Sequence, residues 1–288
     1  MMNSTWLTSF LVFAEEVHFT RAAARLHISQ PALHVQIAKL TEMVGARLYV
    51  RTGRSLELTR AGKELRAFAR DLSERSDAFL TGLGAAAVVR SVVLAAGEGT
   101  LLYRLGPIIR RMSARPDVRL RVLTRDREGV LAALGDGEAH VGVLPLEVIP
   151  DGITATKLWR SGQMLVVPRG HQLARKRRVR LRDLDGVRLI VPPTARPHRA
   201  FVARALSSAG VRFEVAVEAT GWEVMLHYVE LGVGVAIVND ICRVPRGALA
   251  RPLPELASLD YYVAQRTGLE LSKPALDVKA MIRDLARG

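Results

Sequence analysis

Apolar residues recur at Leu33, Ile37, Leu40 and Val44, spacings of three and four that lay one stripe along a helix. The opposite face of that stretch carries Gln30, His34, Gln36 and Lys39. Just upstream, Arg21 to Leu26 is alanine-rich, with small side chains that let another helix approach closely. Thr20 is placed to cap this short helix and Ser29 to cap the next, because a hydroxyl accepts from a free amide of the first turn. Pro31 is tolerated in that turn, where its nitrogen needs no intrahelical partner. The pattern predicts two short helices at a sharp angle, a helix-turn-helix. One face packs on the core and the other can reach base edges in a major groove. Residues 5–17 supply a supporting helix, with Trp6 or Leu7, Phe10, Phe13 or Ala14, and Val17 on its buried face.

After Gly45 the period changes. Leu48, Val50, Leu56 and Leu58 predict two short strands around Thr52-Gly53-Arg54-Ser55, a wing. Arg51 and Arg54 are then available for phosphate or minor-groove contact. From Thr59, a plausible cap, helical spacing returns and lasts to about Leu83. Leu65, Leu72 and Phe79 recur every seven residues, with Phe68, Ser76 and Leu83 between them, a short coiled-coil seam. Beside a DNA-binding unit, a seam at Leu65, Phe68, Leu72 and Phe79 fits dimerisation, since two-fold operators require two-fold proteins. Gly82, Gly84 and the alanines after them form a GxGxxA string without a preceding strand. They read as the helix end and a hinge, not as a dinucleotide loop.

Beyond Arg90 strands and helices alternate. Strands are expected at 91–96, 118–124 and 141–144, with helices at 100–115 and 128–134, a parallel α/β unit. A second unit begins near Met164. Its strands are 164–167, 188–191, 213–217 and 233–238, and its helices 199–209 and 222–231. A strand at 260–265 and a final helix at 274–285 follow, and the chain ends on a return to the first unit.

The stretches FTRAAARLHISQPALHVQIAKL and GARLYVRTGRSLELTRAG closely resemble the DNA-binding domain of LysR-type transcriptional regulators. MLVVPRGHQLAR, VRLRDLDGVRLIV and HYVELGVGVAIV resemble, in order, the family's periplasmic-binding-protein-like effector domain, so the likeness covers almost the whole chain. The chain departs from the family at His34, where a serine or another small polar residue is usual, and at Thr41, where a glutamate normally stands. His140 and Asn239 replace a common aspartate and proline.

The resemblance implies an α/β fold with an N-terminal winged helix-turn-helix at 1–62. A linker helix follows at 63–89, then a two-lobed effector domain at 90–288, with lobe I 90–163 and 267–288 and lobe II 164–266. It implies DNA contacts from Thr20, Arg21, Ser29, Gln30, Pro31, His34, Gln36, Lys39, Arg51 and Arg54, with a base preference shifted by His34. The partners implied are operator DNA, a small-molecule effector, further copies of the chain in a dimer or tetramer, and RNA polymerase if the protein activates.

Ligands of open α/β folds settle beyond the carboxyl ends of strands, where helices begin. Gly99, Thr100 and Leu101 lie there on the first lobe. A hydroxyl at Thr100 beside free amides favours an anion. Arg125 and Arg127 on one lobe, and Thr194, Arg196 and His198 on the other, would face it. An organic anion is therefore the expected effector.

The length of 288 residues suggests two or three domains, and the net charge of +14 favours polyanionic partners. The charge is not concentrated in the DNA-binding stretch: residues 1–60 hold seven Lys/Arg against four Asp/Glu. The run Arg175-Lys176-Arg177-Arg178 reads as a solvated loop. The single cysteine, Cys242, excludes an intramolecular thiol pair and follows an apolar run, so a buried, inert thiol is expected. No leader-like segment and no run of about 20 apolar residues is present, so a cytoplasmic protein without membrane partners is expected.

GxxxxGK[ST], GxSxG and HExxH are all absent, and the histidines do not cluster at ligand spacing. Asp126 and Glu128, and Asp183 and Asp185, sit in arginine-rich surroundings and read as members of surface ion pairs with basic residues, not as acid/base pairs. No cofactor, metal or catalysis is expected. The competing reading is a cytosolic metabolite-binding module whose N-terminal domain mainly dimerises, and sequence-specific DNA binding separates the two.

Overall fold

The computed structural model describes residues 3–53, 55–82 and 89–286. Arg54, Leu83 and the Gly84 part of the expected hinge lie outside the described residues.

Asn3 starts the chain's first helix, its side chain accepting from the Thr5 and Trp6 amides at 2.9 and 3.3 Å. Helix α1 (Ser4–Glu16) then buries Leu7, Phe10, Phe13 and Ala14. Helix α2 (Phe19–Arg25) is capped by His18, whose Nδ1 accepts from the Arg21 amide at 3.4 Å, and not by Thr20. Thr20 lies one residue inside the helix, so its hydroxyl is free for a partner elsewhere. Ser29 does cap α3 (Gln30–Val44), accepting from the Ala32 amide, with Pro31 in the first turn. Leu33, Ile37 and Leu40 are buried, while Val44 is only half-buried.

Strands β1 (Tyr49–Thr52) and β2 (Ser55–Leu58) pair antiparallel as the wing. Tyr49 ties the wing to the core through edge-on contacts with Phe13 and Phe19 at 5.2 and 5.4 Å. Helix α4 (Arg60–Gly82) opens with the Thr59 hydroxyl accepting from the Gly62 amide at 3.0 Å. Gly62 passes so close to the residue before β1 that a Cβ there would fall on the Leu48 carbonyl oxygen. Leu65 completes the N-terminal core at 8% exposure. The expected seam therefore loses Leu65: its place on the first turns of α4 faces its own domain.

The effector region is built on two five-stranded sheets. The first has the order β4-β3-β5-β12-β6, from β3 (Arg90–Ala96), β4 (Val118–Thr124), β5 (Val141–Pro145), β6 (Ile153–Ser161) and β12 (Leu259–Arg266). The second has the order β11-β7-β10-β8-β9, from β7 (Gln163–Pro168), β8 (Val187–Val191), β9 (Phe213–Glu218), β10 (Val235–Asn239) and β11 (Ala248–Pro252). The chain crosses between them at Gly162 and between β11 and β12. Strand β12 pairs antiparallel with both β5 and β6, so residues 259–266 belong to the first lobe and not to the second, as the expected boundary had it. The parallel strands β4-β3-β5 and β10-β8-β9 fill one side of each sheet, and the antiparallel pairings of β12 and β7 with their neighbours make both sheets mixed.

Helix α5 (Glu98–Thr100), a π-helical turn at Leu101–Leu105 and α6 (Gly106–Ser113) replace the single helix expected over 100–115. Helix α7 (Arg127–Gly135) lies on the first lobe, and α8 (Pro197–Ser208) and α9 (Trp222–Glu230) on the second. Helix α10 (Lys273–Leu285) returns to the first lobe and buries Val278 and Ile282 beside β3. Among the described residues no helix is long and apolar enough to cross a membrane.

Candidate DNA-binding face and effector cleft

Residues Gln30, Pro31, His34, Val35, Ala38 and Lys39 of α3 are exposed. At about 100° per residue, Gln30, His34 and Ala38 share one side, while Gln36 stands about 120° round from Gln30. Gln36 does not share the outward row expected for it. It is half-buried, and its Oε1 is buried and unpaired beside a cavity of about 290 Å³ lined by Ser4, Thr8 and Ile28. Lys39 flanks the row and lies over the Trp6 ring at 5.5 Å. Val35, 53% exposed, lies between Pro31 and Lys39 on the exposed arc and was missing from the expected set. An exposed apolar residue on such a face is suited to a thymine methyl group.

Two contacts fix the outward side chains. The Thr20 hydroxyl donates to Gln30 Oε1 at 2.9 Å. The His34 ring stacks on Phe19 with centroids 3.7 Å apart and planes 16° apart. Phe19 itself is buried against Phe13, so His34 stands on a fixed aromatic base. Arg21 remains 66% exposed while bonding the Glu16 carbonyl. Arg51 is exposed at the wing, its Nε donating to the Gly53 carbonyl at 3.3 Å.

The two lobes meet across the ends of their central strands. Gly99 packs under Trp222: a Cβ on Gly99 would stand 3.1 Å from Trp222 Cδ1. The Tyr103 hydroxyl donates to Glu223 Oε1 at 2.7 Å, and Arg196 reaches Asp126 at 3.4 Å. All three contacts join one lobe to the other. Burial and the bond to Glu223 push the Tyr103 hydroxyl above its ordinary range.

Thr100 is 3% exposed and lies close enough to Tyr261 for its hydroxyl to act on that of Tyr261. Tyr261 also accepts from Asn239 Nδ2 at 3.1 Å, and Asn239 Oδ1 accepts from Gln163 Nε2 at 2.8 Å. This buried chain lies beside the crossing between the lobes. Burial pushes the Tyr261 hydroxyl up to about 12, so it stays protonated and able to serve both neighbours. Buried Asn239, a departure noted in the sequence, is here a link between the sheets.

The anion cradle expected from Thr100, Arg196 and His198 is not assembled. Thr100 is buried beside Tyr261, and Arg196 is paired with Asp126. His198 Nε2 donates to the Ile237 carbonyl at 2.9 Å, with Trp222 edge-on at 4.8 Å, and burial lowers its pKa. It is a neutral side chain in this setting and not a cation. Leu101 is half-buried against the lobe I core. Arg125, Arg127 and Thr194 are exposed nearby, Arg125 bonding the Thr124 carbonyl. Sequence reasoning missed Glu98, Tyr103, Trp222 and Glu223, because each matters through a contact with the other lobe. Glu98 lies against Gly221, 3.0 Å from where its Cβ would be.

The linker helix also grips the first lobe. Arg70 Nη1 donates to the Gly137 carbonyl at 2.7 Å and Nη2 to Glu15 Oε1 at 3.0 Å. Arg66 pairs with Asp136 at 3.4 Å, and Gly137 backs onto Ala67. Further along α4, Phe68, Leu72 and Phe79 are 47%, 44% and 67% exposed. Three of the four seam residues are thus free for a partner.

Residues 4–63 match the family model for the bacterial regulatory helix-turn-helix protein, lysR family, and residues 85–287 match that for the LysR substrate binding domain. The chain belongs to the LysR family of bacterial transcriptional regulators. This LysR regulator is 30% identical over 272 residues to the HTH-type transcriptional regulator XapR of Escherichia coli K12, covering 91% of each chain. It is 31% identical over 240 residues to a probable hydrogen peroxide-inducible genes activator of Mycobacterium avium, over 81% of this chain and 76% of that one. Its fold superposes on a full-length OxyR variant from Pseudomonas aeruginosa with TM-score 0.75 at 21% identity, over 100% and 95% of the two chains. With the LysR regulator CbnR the TM-score is 0.59 at 22% identity, over 100% of each chain. The family comprises DNA-binding regulators, which favours the regulator over a metabolite-binding module that does not read DNA.

Proposed function

We propose that this LysR regulator binds operator DNA as a dimer or tetramer in the cytoplasm, and that a small molecule entering the interlobe cleft changes its regulatory state. It does so without chemistry of its own. The observation that carries the reading is the exposed row Gln30-His34-Ala38 on α3, capped by Ser29 and backed by a closed core. Such a helix docks in a major groove, with its N-terminal residues on base edges. Phe68, Leu72 and Phe79 support pairing of two chains along α4. If the regulator activates, RNA polymerase is the further partner.

Helix α7 supplies the route between the two functions. Its N-cap, Asp126, bonds Arg196 across the cleft mouth, and just beyond its other end Asp136 and Gly137 hold Arg66 and Arg70 of the linker helix. A ligand that changes lobe closure acts on one end of this rod and is felt at the other. It shifts the equilibrium only by its difference in affinity for the two states.

Activation of hydrogen peroxide-inducible genes, the role in the mycobacterial relative's name, does not carry over to this chain by thiol chemistry. Cys242 is the only cysteine. It is buried, and burial helped by Glu223, Asp240 and Glu98 pushes its thiol up to about 12. The thiolate is the reactive form, so this thiol is inert at neutral pH.

Genomic footprinting of the full chain tests the proposal. Discrete protected sites, lost with Gln30→Ala and remodelled by added metabolite pools, are expected. A chain that binds metabolites but protects no site would leave the metabolite-binding module as the better reading.

A further inference from the structure

We propose that Thr20 sets the hydrogen-bonding edge of Gln30, so that this regulator reads guanine, and next thymine, at the base facing Gln30 and discriminates against adenine. The inference rests on α3 entering the major groove, as proposed above. A glutamine in this position is ordinarily suited to adenine, its Oε1 accepting from N6 while its Nε2 donates to N7. That contact needs oxygen and nitrogen to face the base together. Here the oxygen is held on the neighbouring helix: Thr20 Oγ1 is 2.9 Å from Gln30 Oε1. A carboxamide oxygen cannot donate, so the hydroxyl does. In this arrangement Oε1 is turned to α2 and both Nε2 hydrogens are left for the groove.

Two donors on one nitrogen match acceptors. Guanine offers N7 and O6, thymine offers O4, and adenine pairs its N7 with a donor that would find no acceptor. Thr20 is well anchored for this task. His18 caps α2 ahead of it, so the Thr20 hydroxyl is not spent on its own helix. Both Thr20 and Gln30 are exposed, on the side of the domain that carries His34. Thr20 is thus a positioning residue, acting on the base through Gln30.

The test is selection from a random-sequence duplex library with the full chain and four variants. The base facing Gln30 is the one whose preference disappears in Gln30→Ala. There the parent and Thr20→Ser are expected to favour guanine over adenine by about tenfold or more. Thr20→Val removes the donor and keeps the shape. The amide can then turn, and the guanine-to-adenine ratio should fall by about tenfold or invert. Gln30→Glu should move the preference to cytosine, whose N4 donates. The proposal is overturned if Thr20→Val keeps the parental ratio while Gln30→Ala abolishes it, or if the parent selects adenine there. A Gln30→Ala variant with the parent's preferences at every position would instead defeat the recognition-face reading itself, and this proposal with it.

Discussion

Asp126 and Arg196 stand on opposite lobes and meet at 3.4 Å across the mouth of the cleft. Asp126 has a second task, accepting from the Gly129 amide at 3.0 Å as the cap of α7. The same carboxylate therefore starts the helix whose far end leads to the linker contacts and latches the lobes together. Both side chains are about half exposed, so the pair adds only ~0.2–1 kcal/mol to stability, and its importance lies in the position it holds.

Arg196→Ala should therefore leave the melting temperature nearly unchanged while loosening the lobes. Spin labels on the two lobes are expected to show a broader and longer distance distribution. The reversed pair, Asp126→Arg with Arg196→Glu, should restore it in part, because the new charge has lost the cap on Gly129. Distances that stay the same in Arg196→Ala would show that Tyr103, Glu223 and Trp222 hold the cleft without the latch.

Gly62→Ala probes the DNA-binding domain. A methyl group at this site would fall on the Leu48 carbonyl oxygen, a backbone atom that cannot rotate away. Strand β1 or α4 must shift, at a cost of ~1–3 kcal/mol. Urea denaturation should show that loss in the N-terminal domain, together with weakened DNA binding, while the effector domain melts as before. An unchanged denaturation curve would mean that the wing and linker helix separate at no cost.

The N-terminal domain was almost wholly legible because its determinants are local. Ser29, Pro31, the stripe from Leu33 to Leu40 and the wing residues all act on neighbours in sequence. The errors were local competitions: His18 took the cap assigned to Thr20, and Leu65 turned to its own core. The cleft was legible in place but not in chemistry. Thr100 was expected to open a helix that instead begins at Glu98, and its buried neighbour Tyr261 lies on a strand far along the chain. Strand β12 was assigned to the wrong lobe for the same reason, since antiparallel pairing with β5 and β6 leaves no local mark. Strands β6 and β11 went unread because one carries Lys157 and Arg160 among its apolar residues and the other ends in Pro252, as edge strands can.

The linker helix offers a contrast between two leucines seven residues apart in the same heptad pattern. Leu72→Glu places a charge on an exposed stripe beside Phe68 and Phe79, so the monomer should fold normally and the dimer should weaken. Leu65→Glu would bury a charge in the N-terminal core and should unfold that domain. Sedimentation and circular dichroism separate the outcomes. A Leu72→Glu chain with parental mass and parental DNA affinity would remove α4 from the dimer interface.

Thr100→Val tests whether the buried Thr100 hydroxyl is coupled to that of Tyr261. Where the two hydroxyls are coupled, removing one leaves the other short of a partner among buried groups, which costs ~1–3 kcal/mol of effector-domain stability. A thermal-shift series should show that loss without any ligand, and Tyr261→Phe should lose a similar amount. If the two losses add in Thr100→Val/Tyr261→Phe, the hydroxyls are not coupled. A double variant no worse than either single one is the expected result.

His198 gives the protein an acid-sensitive joint on the second lobe. Burial lowers its folded-state pKa from 6.5, while the unfolded chain keeps the ordinary value. The unfolded state therefore takes up protons first as pH falls. Stability from the neutral ring is fully present above about 6.5 and is lost as pH falls through that value towards the folded pKa. His171, also lowered by burial, contributes with the same sign. His198→Gln retains an N–H donor for the Ile237 carbonyl and cannot titrate in this range. Between pH 7.5 and 5.5 the parent should therefore lose more stability in urea than the variant does, the difference between the curves isolating His198 from His171. Parallel curves would place the ring in contact with solvent and remove it from the second lobe's interior.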